Sequence, residues 1–249
     1  MCPAVPRLYL VLLAGLLALQ ILCHYNLHGN PSQPLKEVFI MPDQNRVQWV
    51  YASGSNDELA RRYDQWASTY DTDLEKDFEW NGHMRGVEVF VKFVSPQSRV
   101  MDVGCGTGLA GAELAARGFS QIDGFDMSQG MLTKAQLRGT YGNLRIGVLG
   151  ETLDYPTGSY DAAIATGVFS VGHAPASGWN EVARIVRPGG YLVLTLRPDI
   201  FAPLGFRGKE NELVASGKWE LLEVTEPEPL LAKGEPDILY EIRVYRILK

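Results

Sequence analysis

Apolar and polar positions follow three different rhythms along this chain. Leu8 to Cys23, LYLVLLAGLLALQILC, is apolar except at Gln20. From Gly29 to Gly54 no period is sustained and prolines stand at 31, 34 and 42, which reads as a linker. From Ser98 onward, short apolar runs alternate with stretches of helical period. The runs predict strands at Arg99–Val103, Gln121–Phe125, Leu144–Leu149, Tyr160–Thr166, Tyr191–Arg197, Trp219–Thr225 and Leu239–Ile247. Between them, Leu109–Arg117, Gln129–Arg138, the stripe Trp179, Val182, Ala183, Val186, and Lys209–Ser216 predict helices. Strand and helix in strict alternation imply an α/β fold: a doubly wound, mostly parallel seven-stranded sheet with helices on both faces.

Two further helices precede the first strand. Ser55 and Glu58 have the spacing of a capping box, in which each side chain satisfies a free N–H at a helix start. Leu59, Tyr63, Trp66, Ala67 and Tyr70 then share one face, and Gly82–Val94 repeats the pattern with Val87, Phe90, Val91 and Val94. The chain therefore divides into a hydrophobic segment over 1–28, a linker over 29–55 and a folded domain over 56–249. As a helix, the sixteen residues of Leu8–Cys23 would span roughly 24 Å at ~1.5 Å per residue, slightly less than a ~30 Å hydrocarbon core. They read as a signal peptide or an uncleaved signal anchor, with a buried helix or a sequence artefact as alternatives. No A-x-A-like cleavage site follows.

Candidate chemistry concentrates at Arg99 to Ala112, RVMDVGCGTGLAGA. A β-run ends on glycines at 104, 106 and 108 and leads into a helix, the geometry that brings backbone close to a nucleotide-like ligand. Gly106, Gly108 and Gly111 also fit the G-x-G-x-x-G of dinucleotide sites. Those sites offer helix N–H groups to a pyrophosphate, which Asp102 would repel. S-adenosylmethionine carries an ammonium and a cationic sulfur instead of a phosphate, and Asp102 suits it. Asp-Val-Gly-Cys-Gly-Thr-Gly resembles motif I of the class I S-adenosylmethionine-dependent methyltransferases.

The resemblance extends from about Asn56 to Lys249 and implies a set of cofactor-binding residues. RYDQWASTYD resembles the YDxWAxxYD segment of several small-molecule methyltransferases, where the residue matching Tyr70 lies against the methionine end of the cofactor. GFDMSQGML resembles G-x-D-x-S-x-x-M-L, which assigns Asp126 to the ribose and Met127 to the adenine. Gly150 to Pro156 resembles a G-D-A-x-x-L-P loop, placing Glu151, with Thr152, near the adenine amino group, although Glu and Thr replace the usual Asp and Ala. Gly104, Gly106 and Gly108 complete the set with Gly167, which follows the fourth strand where reacting groups meet. His173, in the same loop, is the candidate catalytic base, since a neutral imidazole can take a proton near pH 7.

Composition narrows the acceptor. The 249 residues carry a net charge of −6 and a pI near 5.3, without a basic run, which argues against nucleic acid. Neither the Asn/Asp-Pro-Pro-aromatic signature of base and glutamine methylation nor the paired glutamates of arginine methylation occur after the fourth strand. Cys2, Cys23 and Cys105 are too few and scattered for a disulfide framework, and no metal-ligand spacing appears. These features favour a small-molecule methyl acceptor. A cofactor-binding but catalytically silent interaction protein and a nucleotide-dependent oxidoreductase remain as alternatives. Membrane association would come from residues 8–23. Arg7 ahead of the segment and Lys36 as the first basic residue after it would send the domain across the membrane, whereas a cofactor made in the cytosol favours a cytoplasmic domain.

Overall fold

In the computed structural model, residues 46–249 are described, and the apolar segment over 8–23 lies outside them. Among the described residues no helix is long and apolar enough to cross a membrane.

The sheet is built as the alternation implies. Strands β1 (Val100–Val103), β2 (Ile122–Asp126), β3 (Asn143–Ile146), β4 (Tyr160–Phe169) and β5 (Val186–Leu196) run parallel. Strands β6 (Trp219–Val224) and β8 (Leu239–Ile247) close the sheet antiparallel, in the order β3-β2-β1-β4-β5-β8-β6. A two-residue strand, β7 (Glu228–Pro229), pairs with β8 and raises the expected seven strands to eight among the described residues. Chain order reverses between β1 and β4, and ligands of open α/β sheets settle in the crevice at such a reversal.

Alternation along each strand sorts the core into two layers. Met101, Val103, Ala163, Ala165, Leu192, Leu194 and Tyr245 face one layer, joined by Trp179 of helix α7 (Gly178–Ile185) and by Phe206 and Leu213 of α9 (Phe206–Ala215). Val100, Ala162, Ile164, Val193 and Val244 face the other, against Val87 and Phe90 of α4 (Gly82–Phe90) and Leu114 of α5 (Leu109–Ala116). Helix α6 (Gln129–Arg138) follows β2, and the four-residue α8 (Pro198–Phe201) follows β5.

Several boundaries differ from those the sequence suggests. The linker expected over 29–55 gives way over its end, where helix α1 (Arg46–Tyr51) buries Val47 and Val50. Its two apolar contacts are too few to produce a visible period. The long helix expected through Tyr70 breaks into α2 (Asn56–Trp66) and α3 (Tyr70–Asp73), followed by a π-turn at Leu74–Phe78 that ends on Glu79 in the left-handed region (φ 51°). Ser55 caps α2 by accepting from the N–H of Glu58 at 3.2 Å, while Glu58 reaches back to the N–H of Gly54 at 2.9 Å. The reciprocal cap thus forms one residue wider than the sequence spacing implies. Strand β5 begins at Val186 and includes Pro188-Gly189-Gly190, which reads as a turn in sequence.

Candidate active site

A pocket of about 680 Å³ opens at the chain reversal, over the ends of β1, β2 and β4. Gly104 and Gly106 line it with left-handed backbone, at φ 61° and 54°. A side chain on Gly106 would enter space with no protein atom within 4 Å, so this glycine leaves a cradle that a Cβ would occupy.

Asp126 stands at the end of β2 with its carboxylate turned to the loop. One oxygen accepts from the N–H of Gly106 at 2.9 Å and the other from the N–H of Ser128 at 2.9 Å. Burial raises its pKa, and these backbone donors oppose the rise. Each carboxylate oxygen has a second lone pair, enough to take the hydroxyls of a ribose. Met127 lines the same wall, with Phe125 and Met131 adding apolar surface suited to a purine.

The structure brings Tyr70, Gly104, Gly106, Asp126, Met127, Gly167 and His173 to this one pocket. Four other expected cofactor residues do not line it. Asp102 lies beneath the loop, 1% exposed, accepting from the Tyr141 hydroxyl at 2.7 Å and from the N–H of Gly111. Burial lifts its carboxyl to about 7, and from beneath the loop it props the glycine turn. Gly111 makes this possible: a Cβ there would sit 2.2 Å from the Tyr141 oxygen. Gly108 packs against Tyr141 and Arg138. Glu151 and Thr152 are exposed, because the chain turns at Gly150 (φ 101°) after presenting Gly147 and Leu149 to the pocket.

Two aspartates that sequence reasoning passed over hold α2 and α3 against the site. Asp64, on α2, accepts from the Ser128 hydroxyl at 2.6 Å and the N–H of Gly130 at 2.7 Å, tying the helix to the start of α6. Asp71, on α3, takes the Thr107 hydroxyl of the glycine turn and pairs with Arg138 at 2.5 Å. Their sequence signal is the repeated Tyr-Asp at 63–64 and 70–71: each tyrosine faces the pocket while its neighbour anchors the backbone.

At the far end of the pocket the Tyr63 hydroxyl lies 2.6 Å from His173 Nε2. His173 Nδ1 is 2.9 Å from the carbonyl of Val171. A carbonyl only accepts, so Nδ1 carries the proton and Nε2 accepts from Tyr63. Desolvation lowers the imidazole to about 4, and burial pushes the Tyr63 phenol up, so both groups are neutral at pH 7. The Tyr63 oxygen keeps its lone pairs for a donor arriving from the pocket. Among the described residues no cluster of His, Cys, Asp or Glu could hold a metal ion.

A second chamber adjoins the first, with Tyr63, Tyr70 and Gly167 common to both linings. It lies between α1, α2, the π-turn and β8 and is partly open to solvent. Gly167 at its mouth faces the Trp80 ring, which a Cβ would approach to 3.3 Å.

Comparison with known proteins gives this architecture its relatives. Residues 101–194 match the model of a family described as "Methyltransferase domain". The chain is 39% identical to human methyltransferase-like protein 27 over 157 residues, 60% of this chain and 63% of that protein. It is 31% identical over 116 residues to the ubiquinone biosynthesis O-methyltransferase of Alkalilimnicola ehrlichii, covering 43% and 47%. Over 66 residues it is 39% identical to the 18S rRNA (guanine-N(7))-methyltransferase of Bos taurus, covering 26% and 23%. The chain thus spans less than two thirds of the length of each relative. In fold it is similar to the [4+2]-cyclase SpnF, with a TM-score of 0.60 at 18% identity over 79% of this chain and 98% of that one.

Proposed function

Because residues 101–194 match a family described as a methyltransferase domain, and the chain is 39% identical to methyltransferase-like protein 27 over 157 residues, we propose that it is a class I S-adenosylmethionine-dependent methyltransferase acting on a small organic acceptor. The observation that carries this reading is the joined pair of cavities. One is floored by the glycine turn and Asp126, the other is lined by aromatic rings, and Tyr63, Tyr70 and Gly167 are common to both. A polymer needs an open groove, whereas here α2 and α3 lie over the site, latched by Asp64 and Asp71. The ubiquinone-pathway relative named as an O-methyltransferase supports a small acceptor. An rRNA methyltransferase also stands among the relatives, but this chain's net charge of −6 is poorly suited to a phosphate backbone.

The residues present fit S-adenosylmethionine. Asp126 would hold the ribose, Phe125, Met127 and Met131 would flank the adenine, and Gly104, Gly106 and Tyr70 would surround the amino-acid end. When bound, the cofactor supplies a methyl group already activated on a sulfonium, so the protein must chiefly align, desolvate and accept a proton. Tyr63 and His173 do the last of these. An acceptor hydroxyl donates its proton to the Tyr63 oxygen while the Tyr63 proton passes to His173 Nε2, which releases it to solvent. Lowered to about 4, the imidazole is a weak base at pH 7, so it holds this proton only in passing. Purified protein given labelled S-adenosylmethionine should transfer label to a component of a metabolite extract. Label entering RNA or protein, with none in any metabolite fraction, would refute the small-acceptor reading.

A further inference from the structure

We propose that the second chamber is the acceptor site and that its ligand is an uncharged, ring-bearing molecule presenting a hydroxyl to Tyr63. This rests on the S-adenosylmethionine reading of the neighbouring pocket. Position is the first argument. A transferred group must cross from one cavity to the other, and the residues common to both linings are Tyr63, Tyr70 and Gly167. Tyr63 therefore stands at the crossing point, with its hydroxyl bonded to His173 of the first pocket at 2.6 Å.

Chemistry of the walls is the second. Tyr51, Tyr63, Trp66, Tyr70, Trp80 and Tyr240 supply six rings, with only aliphatic side chains and Gly167 completing the lining. Among the described residues no charged side chain takes part. An anion would be stripped of water with no cation among the lining residues to meet it, since the nearby Arg197, which acts on Tyr51 and Tyr240, is already paired with Asp199 at 2.6 Å. A cation would gain from the ring faces, yet it would lose its hydration with no carboxylate on the lining, beside a pocket read as holding a sulfonium. A neutral ring loses little water and gains edge and face contacts.

The rings are also fixed in orientation before any ligand arrives. Trp80 lies against Gly82, where a Cβ would come within 2.2 Å of the indole, and meets Tyr240 edge-on at 6.0 Å. Trp66 stacks on Tyr63 at 6.3 Å and meets Tyr70 edge-on at 4.7 Å, and its indole N–H is held by Asp73 at 2.7 Å. Tyr51 is held by the Ser170 hydroxyl at 3.1 Å and bonds the Tyr240 hydroxyl. Side chains held this way lose little freedom on binding, which favours flat ligands that fit the slots already formed.

The test uses the full chain saturated with S-adenosylhomocysteine and three probes that share one ring system: 2-naphthol, 2-naphthoate and 2-naphthyltrimethylammonium. Calorimetry should show 2-naphthol binding at least about tenfold more tightly than either charged probe. Trp80→Ala should weaken 2-naphthol by about tenfold or more while the S-adenosylhomocysteine affinity, which reports intact folding, stays the same. Tyr63→Phe should bring 2-naphthol down to the affinity of naphthalene. Equal or tighter binding of a charged probe, or 2-naphthol binding indifferent to both substitutions, would overturn the chamber assignment alone. Failure of wild-type protein to bind S-adenosylhomocysteine would overturn the cofactor reading and this proposal with it.

Discussion

Replacing Asp102 by asparagine should change how stability responds to pH while leaving ligand binding in place. The carboxyl is 1% exposed, and its partners are the Tyr141 hydroxyl and the Gly111 N–H, both of which an amide oxygen can satisfy. Its folded value is about 7 against an ordinary 3.8, because burial penalises the ion. Across that window the folded protein holds a proton that the unfolded chain has lost. Ionisation on raising the pH therefore favours unfolding. The gap corresponds to on the order of 4 kcal/mol of stability surrendered by the wild type between about pH 4 and pH 8. Asparagine cannot ionise, so the stability of the variant minus that of the wild type should climb by that amount over the same range. Urea denaturation at closely spaced pH values measures the difference directly, and other titrating groups common to both proteins cancel. Affinity for S-adenosylhomocysteine at neutral pH should change by less than about threefold. A stability difference flat with pH would refute the buried-strut argument, and a large loss of affinity would return Asp102 to the ligand.

Asp126→Ala removes the two oxygens offered to the ribose and should weaken S-adenosylhomocysteine by about 1.5–3 kcal/mol in calorimetry. Gly106→Val should nearly abolish that binding by occupying the cradle. For an acceptor that loses a proton, His173→Gln should lower kcat by about a hundredfold with the cofactor affinity preserved, as expected for loss of a general base. The same variant should resist acid better. The folded imidazole takes a proton only near pH 4 while the unfolded one does so near 6.5, so wild-type stability falls as pH drops through that interval, and the glutamine variant should lack this loss in urea titrations. Asp71→Ala, which frees Thr107 and Arg138 from α3, should raise hydrogen exchange over 70–78 while leaving β1 and β4 protected.

The alternation of strand and helix was legible because central strands such as β1 and β2 are buried on both faces and read as apolar runs whatever their neighbours. Seven of the residues that meet in the pocket were legible too, since a glycine at a turn and an acid at a strand end have few other uses. Asp102 misled because sequence gives the position of a side chain along a strand but not which cavity it faces. Only Tyr141, reaching over Gly111, reveals that this carboxylate is capped from below. Glu151 and Thr152 were misplaced by one reversal at Gly150, a local dihedral that no periodicity reports. Helix α1 and the Leu231 end of the chamber were invisible for a related reason. Each contributes one or two apolar contacts to a wall assembled from segments far apart in sequence.

That dispersed wall has a consequence for how the protein can change. The pocket floor comes from three neighbouring βα turns at 104–106, 125–131 and 147–149, one compact stretch tied to the sheet. The chamber is gathered from 47–51, 63–80, residue 167 and two positions near the carboxyl end, Leu231 and Tyr240. Most of its members, including Val50, Trp80, Leu231 and Tyr240, touch the chamber alone. With the chamber as acceptor site, as proposed, mutation can reshape what is modified without retuning what does the modifying. Homologous chains sharing the same turns are then free to diverge in clientele, and a designer wishing to redirect this scaffold has a set of rings to exchange that leaves its ribose clasp untouched.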